Sequence, residues 1–397
     1  MAIPKQQRER LINPLEYGSP GTVPSLQFEL ERPTHLSGRE LDDYLDAGWY
    51  RQGQGLFTTY STISRKILMA APWIRVETDK YTLSKNLRRL KSRNDSRLTY
   101  HIGKAMVTPY REELFQKFRT YFKGEFYESL SSALYCYRSQ PDSIFDSREI
   151  TFYLDGEMIG FSYFDVGENS IASILNIYSD EHMKYSLGMY AILLQLEWCV
   201  ENGKKYYYPG YAMPENPRFD YKLRIGGIDF LDQKSRQWKP WNEFQLDETP
   251  LYEYREAMVK ARDRFFGLDL GWRIGVYLNH SNPCPLLIDQ SGAEFLSHPI
   301  FLSGDISDET NPLVVDYDLK EKVYRLFRCS AYHRQPYPEN YQKHEDVLFP
   351  VDFDCADFGC VALLTLDKLL LKSADLLEIY EEIRLNEYEP WLDDLIR

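Results

Sequence analysis

The sequence predicts an α+β protein built on mainly antiparallel, mixed sheets, and three observations carry that expectation. Residues 149–166 (EITFYLDGEMIGFSYFDV) are two alternating apolar runs around Asp155-Gly156, a pair that tolerates the positive φ of a tight hairpin turn. A third strand (170–178), a one-striped helix (186–202) and a further strand (204–211) follow, an order that calls for one helical crossover. The 397 residues, 43% apolar with 31 Tyr, 21 Phe and 7 Trp, supply packed cores for roughly two to three domains of about 100–200 residues each.

Taken in order, residues 1–40 carry prolines and glycines without a sustained period and read as an N-terminal arm. Residues 41–50 (LDDYLDAGWY) are helix-like, and 56–62 and 71–78 read as strands. Leu83, Leu87 and Leu90 recur at helical spacing in a basic segment. A long amphipathic helix is expected over Thr108–Tyr137, with Leu114, Phe115, Phe118 and Phe122 on its apolar face. In the helix after the third strand, Leu187, Tyr190, Ala191, Leu194 and Trp198 form the buried stripe, and Asn202-Gly203 ends it. Beyond about residue 242 the pattern predicts a helix at 252–266, strands at 272–278, 312–319 and 322–329, and a last acidic helix at 365–385. Turn signals cluster at 279–282 and 334–340. The expected boundaries are an arm at 1–40, an N-terminal lobe at 41–145, a catalytic lobe at 146–246 and an extension of unassigned role at 247–397.

A net charge of −13 repels polyanions over most of the surface, so nucleic acid must be met by a local basic patch and general DNA binding is not expected. No stretch approaches the ~20 apolar residues of a membrane span, and no apolar run follows the basic start, so the expectation is a cytoplasmic chain without a membrane partner. The six cysteines (Cys136, Cys199, Cys284, Cys329, Cys355, Cys360) lie far apart in or beside apolar runs and are expected to be reduced and buried. Cys355 and Cys360 are near neighbours without zinc-knuckle spacing, so neither metal nor cofactor is expected.

The segment Tyr185-Ser186-Leu187-Gly188 leads into a helix, where free N–H groups and the positive helix end can hold an anion or a polarised carbonyl. The same turn also serves as an ordinary cap. Between Lys80 and Arg97 seven basic residues, among them Lys85, Arg88, Arg89 and Arg93, face one acid, Asp95. That island would attract RNA phosphates, or it is a solvated helix face.

These residues carry a resemblance. The run Tyr185 to Leu193, then Glu197-Trp198, Lys205 to Tyr211, and Tyr221-Lys222 resembles the C-terminal signature of the arginyl-tRNA protein transferase family. Gly48-Trp49-Tyr50-Arg51-Gln52-Gly53 is similar to the family's N-terminal glycine-tryptophan pattern, and Ser84-Lys85 through Arg88-Arg89 to Arg93-Asn94 to its basic helix. The resemblance spans about residues 40–240. It implies two lobes of the acetyltransferase-like GNAT fold and transfer of an aminoacyl group, arginine foremost, from charged tRNA to a protein's N-terminal amine, an N-degron reaction. The partners are then aminoacyl-tRNA and the acceptor N-terminus. The family's cysteine cluster is missing, since Leu56 to Tyr81 contains no cysteine, which loosens the donor assignment.

Aminoacyl transfer needs a deprotonated amine, donors for the ester carbonyl, and both reactants held together. The expected catalytic set is Ser186, Leu187, Gly188, Tyr190, Tyr211 and Tyr221. The expected binding set is Trp49, Arg51, Ser84, Arg88, Arg89, Arg93, Asn94 and Lys222, with Arg51 on an acceptor carboxylate and Lys222 on the terminal phosphates. Glu197 is a base only if it enters the cleft, and His182 sits just before the turn as a further candidate. Two alternatives stand: an acyl-CoA N-acetyltransferase, against which the bulk of Tyr190 argues, and a non-catalytic tRNA- or protein-binding relative.

Overall fold

The computed structural model describes residues 29–64, 67–122, 128–135, 143–214, 221–277, 296, 298–304, 312–331, 348–349, 358–360 and 364–388. They divide into two compact units, one holding Glu29–Thr59 and Ala71–Gln245, the other Tyr60–Ala70 and the chain from Leu246. Residues 1–28 of the arm expected at 1–40, the turns at 279–282 and 334–340, and Cys136, Cys284 and Cys355 lie outside the described residues, while 29–40 hold a short strand and the start of a helix.

The first unit opens with strand β1 (Glu29–Glu31), helix α1 (Gly38–Asp46) and strands β2 (Tyr50–Gln52) and β3 (Gly55–Thr58), with β3 between β1 and β2 in a small antiparallel sheet. Ser37 and Glu40 close a reciprocal capping box at the start of α1. The chain next places β4 (Ser61–Ser64) and β5 (Ile67–Ala70), an antiparallel pair, in the second unit. It returns with β6 (Trp73–Glu77), α2 (Lys85–Asp95), β7 (Thr99–Lys104), α3 (Pro109–Tyr121) and α4 (Leu130–Tyr135). Then come β8 (Ser147–Leu154), β9 (Glu157–Val166), β10 (Ser170–Tyr178), α5 (Leu187–Glu201), β11 (Tyr206–Tyr211), β12 (Ile228–Asp232) and β13 (Gln237–Pro240).

Strands β6 to β13 make one eight-stranded sheet in the order β13-β12-β6-β11-β10-β9-β8-β7. All pairs are antiparallel except β10 with β11, which α5 connects as the expected crossover. Asp155 (φ 52°) and Gly156 (φ 84°) turn the β8–β9 hairpin as their sequence predicts. The α5 stripe, with Leu187, Tyr190, Ala191 and Leu194 buried, packs on Ile150, Phe152, Phe164, Ile171 and Tyr207 of the sheet. On the other face Phe115 and Phe118 of α3 pack with Phe161, Tyr163 and Ile177.

Three expectations are corrected. Residues 41–145 and 146–246, expected as separate lobes, lie in one unit apart from 60–70 and 246, because β6 and β7 complete the sheet begun by β8 to β11. The helix expected over Thr108–Tyr137 is two: α3 ends where Phe122 turns extended (ψ 119°), ahead of Gly124, and α4 begins at Leu130. The last helix is half a strand. Residues Leu364–Ser373 form β20, paired along β17 (Val323–Ala331), and only Leu376–Tyr388 are helical. The leucines there have helical spacing, but the long edge of β17 offers a full ladder of partners, and Ser373 and Asp375 accept the N–H groups of Asp375 and Leu377 at the break.

The second unit also contains α6 (Pro250–Phe266), β14 (Arg273–Tyr277), β15 (Ile300–Ser303), β16 (Leu313–Asp318), β18 (Leu348–Phe349), β19 (Phe358–Cys360) and α7 (the helical Leu376–Tyr388). Its sheet runs β18-β19-β14-β15-β16-β17-β20, with Leu251, Tyr254, Met258 and Phe265 of α6 and Ile379 and Ile383 of α7 packed on it. Of the thiols expected to be buried, Cys199 and Cys329 are free and buried. Among the described residues no helix is long and apolar enough to cross a membrane.

Candidate functional site

The parallel ladder between β10 and β11 runs from Ser170 opposite Tyr206 to Ala172 opposite Tyr208 and stops. Two sequence features end it. Pro209 has no N–H to donate, and Gly210 follows with φ 95°, a conformation other residues rarely adopt. On the facing strand a bulge between Ser173 and Leu175 shifts the register with β9. The two strands therefore part, and Tyr50 stands at the fork: its hydroxyl donates to the Ser173 carbonyl and lies 3.0 Å from that of Tyr208, in place of the next ladder bond. Burial holds this phenol's pKa well above its ordinary value, so it remains a donor.

Around the fork stand aromatic rings and one cation. Trp73 stacks on Tyr50 (5.3 Å between centroids) and meets Tyr211 edge-on (5.4 Å). Its indole Nε1 is buried without a hydrogen-bond partner. Lys222 Nζ donates to the Tyr211 carbonyl (3.0 Å) and sits beside Gly210, whose φ of 95° is what calls for a glycine there. Burial lowers the Lys222 pKa to about 8 and pushes the Tyr221 phenol up to about 12, the latter with Tyr178 beside it.

Tyr178 leads to the turn that opens α5, its ring 3.8 Å from a Cβ built on Gly188. Ser186 is exposed and left-handed (φ 50°, ψ 47°) and its side chain makes no capping bond. Its carbonyl accepts from both Met189 and Tyr190 (3.0 Å each), so helical bonding begins there. The N–H groups of Leu187 and Gly188 precede that first bond, as at any helix start.

The basic helix docks on the same turn. Asn94 Nδ2 donates to the Tyr185 carbonyl (2.7 Å), and Arg93 reaches the Lys184 carbonyl (3.4 Å). Lys85, Arg88, Arg89, Ser92, Arg93 and Ser96 line an open groove on the helix's exposed side. The Tyr185–Gly188 turn and the basic island are thus neighbours.

Several expected site residues have other occupations. Arg51 is buried: it donates to Asp165 (2.8 Å), Ser147 (2.9 Å), and the carbonyls of Gly53 (2.8 Å) and Leu134 (2.5 Å), so no guanidinium fork remains for a substrate. Tyr190 is buried in the core and its hydroxyl donates to Asp95 (2.8 Å), with the phenol pKa pushed far up by burial. It therefore neither shuttles protons at the turn nor obstructs the N–H groups, and its bulk is no argument against CoA. Asn94 is wholly buried and orients the turn rather than touching substrate. Ser84 caps α2 by accepting from Leu87 N–H, and Trp49 packs edge-on with Tyr44. Glu197 is paired with Lys91 (3.1 Å), which also holds Asp95. His182 stacks on Tyr185 (6.1 Å). Tyr50, Trp73, Ser173, Tyr178 and Tyr207 were not anticipated. The signal that leads to them is Pro209-Gly210 inside an otherwise regular strand sequence, which marks where a ladder must end.

Residues 110–232, all within the first unit, match the family model described as arginine-tRNA-protein transferase, C terminus. The chain is 27% identical over 224 residues to an aspartate/glutamate leucyltransferase of Leptospira interrogans, covering 54% of this chain and 83% of that protein. It is 27% identical over 190 residues to one of Helicobacter hepaticus (47% and 77%), and 24% identical over 251 residues to one of Brucella suis (57% and 94%). Among solved structures it is similar to L-PGS from Bacillus licheniformis (17% identity, TM-score 0.30, 43% of this chain and 58% of that one). It is also similar to a tandem GNAT protein from the clavulanic acid pathway (9% identity, TM-score 0.28, 51% and 59%). The chain thus spans somewhat over half the length of those solved structures. The sequence matches bear out the resemblance read from the residues: the chain is similar to the aminoacyl-tRNA protein transferases over this part of its length.

Proposed function

We propose that this protein transfers an aminoacyl group from charged tRNA to the N-terminal α-amine of an acceptor that begins with Asp or Glu, with leucine the favoured donor. The observation that carries the reading is the docking of α2 on the Tyr185–Gly188 turn, which sets a phosphate-binding groove beside the first N–H groups of α5. The amine nitrogen attacks the ester carbonyl carbon. A C–N bond forms, the C–O bond to the ribose breaks, and the amine's proton ends on the ribose oxygen. Leu187 and Gly188 N–H groups meet the carbonyl oxygen as charge builds. Lys222 pairs with the acceptor's side-chain carboxylate, the role Arg51 cannot take, and Trp73 Nε1 is a ready donor to the acceptor backbone.

Leucine is favoured over the arginine implied by the family resemblance because the curated relatives are named leucyltransferases. The test is a panel of radiolabelled aminoacyl-tRNAs, leucyl and arginyl first, with peptides beginning Asp, Glu, Lys or Arg. Leucine entering Asp and Glu peptides is the expected result; arginine entering in its place reverts the donor, and label entering none sinks the reading. Acetyl-CoA shifting the melting temperature while charged tRNA does not would favour the acetyltransferase instead.

A further inference from the structure

Between the basic groove of α2 and the turn that opens α5 lies a short 3-10 helix, Asp180–Tyr185. It is tied to both. Arg93, on the groove, reaches the Lys184 carbonyl (3.4 Å), Asn94 holds the Tyr185 carbonyl (2.7 Å), and the Met183 carbonyl accepts from the N–H of Ser186 (2.9 Å). An RNA end that leaves the groove for the Leu187 and Gly188 N–H groups has this segment beneath it.

The segment offers that end two things. Met183 is 54% exposed, so more than half of a flexible, polarisable thioether side chain stands in water. Beside it the exposed Lys184 carries its ammonium over the Tyr185 ring (5.3 Å), and among the described residues it pairs with no carboxylate, although Asp180 and Glu181 belong to the same short helix. The Tyr185 ring is itself held: it is buried, and the His182 ring lies against it with the planes 16° apart (6.1 Å). A single-stranded end needs an apolar surface for a base and a cation for its phosphate, and here both adjoin the arginines of α2. One methionine between cations is too small an apolar area for a protein partner.

On the aminoacyl-transfer reading above, on which this rests, we infer that the unpaired 3′-terminal adenosine of tRNA packs its base on Met183, with Lys184 on the phosphate that joins it to the preceding nucleotide. The contact is to the face of the base, which every base has, so it holds the end without reading sequence. It sets the ribose that carries the ester beside Ser186, where the first N–H groups of α5 follow. No bond is made or broken in this step.

The test is equilibrium binding of the full-length protein to two uncharged leucine tRNAs, one intact and one trimmed of its 3′-terminal adenosine, over a range of salt. The wild type is expected to bind the intact RNA about three- to tenfold more tightly, the reach of a thioether–ring contact. Met183→Ser should bind both RNAs as the wild type binds the trimmed one, with its salt slope unchanged, and Met183→Phe should restore the difference. Lys184→Gln should instead flatten the salt slope for the intact RNA by about 0.7, the share of one single-strand phosphate. Both positions are exposed, so each variant is expected to melt with the wild type. An equal loss on both RNAs for Met183→Ser, or a wild type indifferent to the terminal adenosine, overturns the inference. A wild type that shows the whole pattern yet transfers no aminoacyl group fails the proposed function alone. A wild type that transfers while Met183→Ser binds the intact RNA as tightly fails only this inference, and one that binds neither RNA ends both.

Discussion

Lys222 is a cation that burial makes expensive, with a pKa lowered to about 8. At pH 7 it is charged both folded and unfolded, so the whole desolvation cost is present; the cost fades as pH rises from about 8 towards the unfolded value near 10.4. Lys222→Met should therefore raise stability at pH 7 by about 1 kcal/mol while harming selectivity, a trade common where function needs a strained group. The expected kinetic signature is a KM for Asp- and Glu-starting peptides that rises about tenfold, with neutral peptides unaffected. In the wild type the same KM should climb above pH 8 as the ammonium deprotonates. A melting temperature that falls and an unchanged peptide preference would contradict the assignment. Sequence names such residues by type but not by direction. Arg51 and Tyr190 have the right chemistry and sit in the right motifs, yet their neighbours Asp165 and Asp95 consume their hydrogen bonds in the folded chain.

At the scale of elements, α2 presents its basic side to solvent and its Leu87–Asn94 side to the body. Arg88→Gln, Arg89→Gln and Arg93→Gln together should leave the fold intact, since Arg88 and Arg89 are exposed and Arg93 spans only a 3.4 Å contact. If each meets one phosphate, the slope of log Kd for tRNA against log salt should flatten by about 2 to 3. Asn94→Ala should act oppositely on stability, costing about 1–2 kcal/mol through the stranded Tyr185 carbonyl, and lower transfer by loosening helix from turn. An unchanged salt slope in the triple variant would remove α2 from the RNA path. Periodicity made α2, α5 and the β8–β9 hairpin legible, because each buries one face over a long run. It failed at β20, where leucines at helical spacing serve a ladder, and at the fork, where the informative feature was a two-residue interruption rather than a pattern.

At the scale of the whole molecule, an excess of 13 negative charges accompanies the cationic α2, so on the proposed function tRNA would be met locally there and an acidic acceptor where Lys222 offsets the background. The chain path adds a constraint on how the second unit can be removed. Tyr60 to Ala70 belong to it although they sit within the sequence of the first, and Tyr60, Leu68 and Ala70 are buried in the core built by Leu251, Tyr254, Met258 and the β14–β17 strands. Tyr60 also shares a hydrogen bond with His298 (3.2 Å), whose imidazole burial keeps neutral, with a pKa of about 3. Truncation after Gln245 therefore strands an apolar hairpin whose buried side chains are each worth about 1.5–3 kcal/mol of burial. The truncated chain is expected to aggregate on purification. Exchanging 60–70 in that truncation for a Gly/Ser linker of the same length should restore a soluble first unit that still binds charged tRNA. If simple truncation alone yields a monodisperse, folded protein, the first unit tolerates the uncovered hairpin and the expected aggregation is refuted.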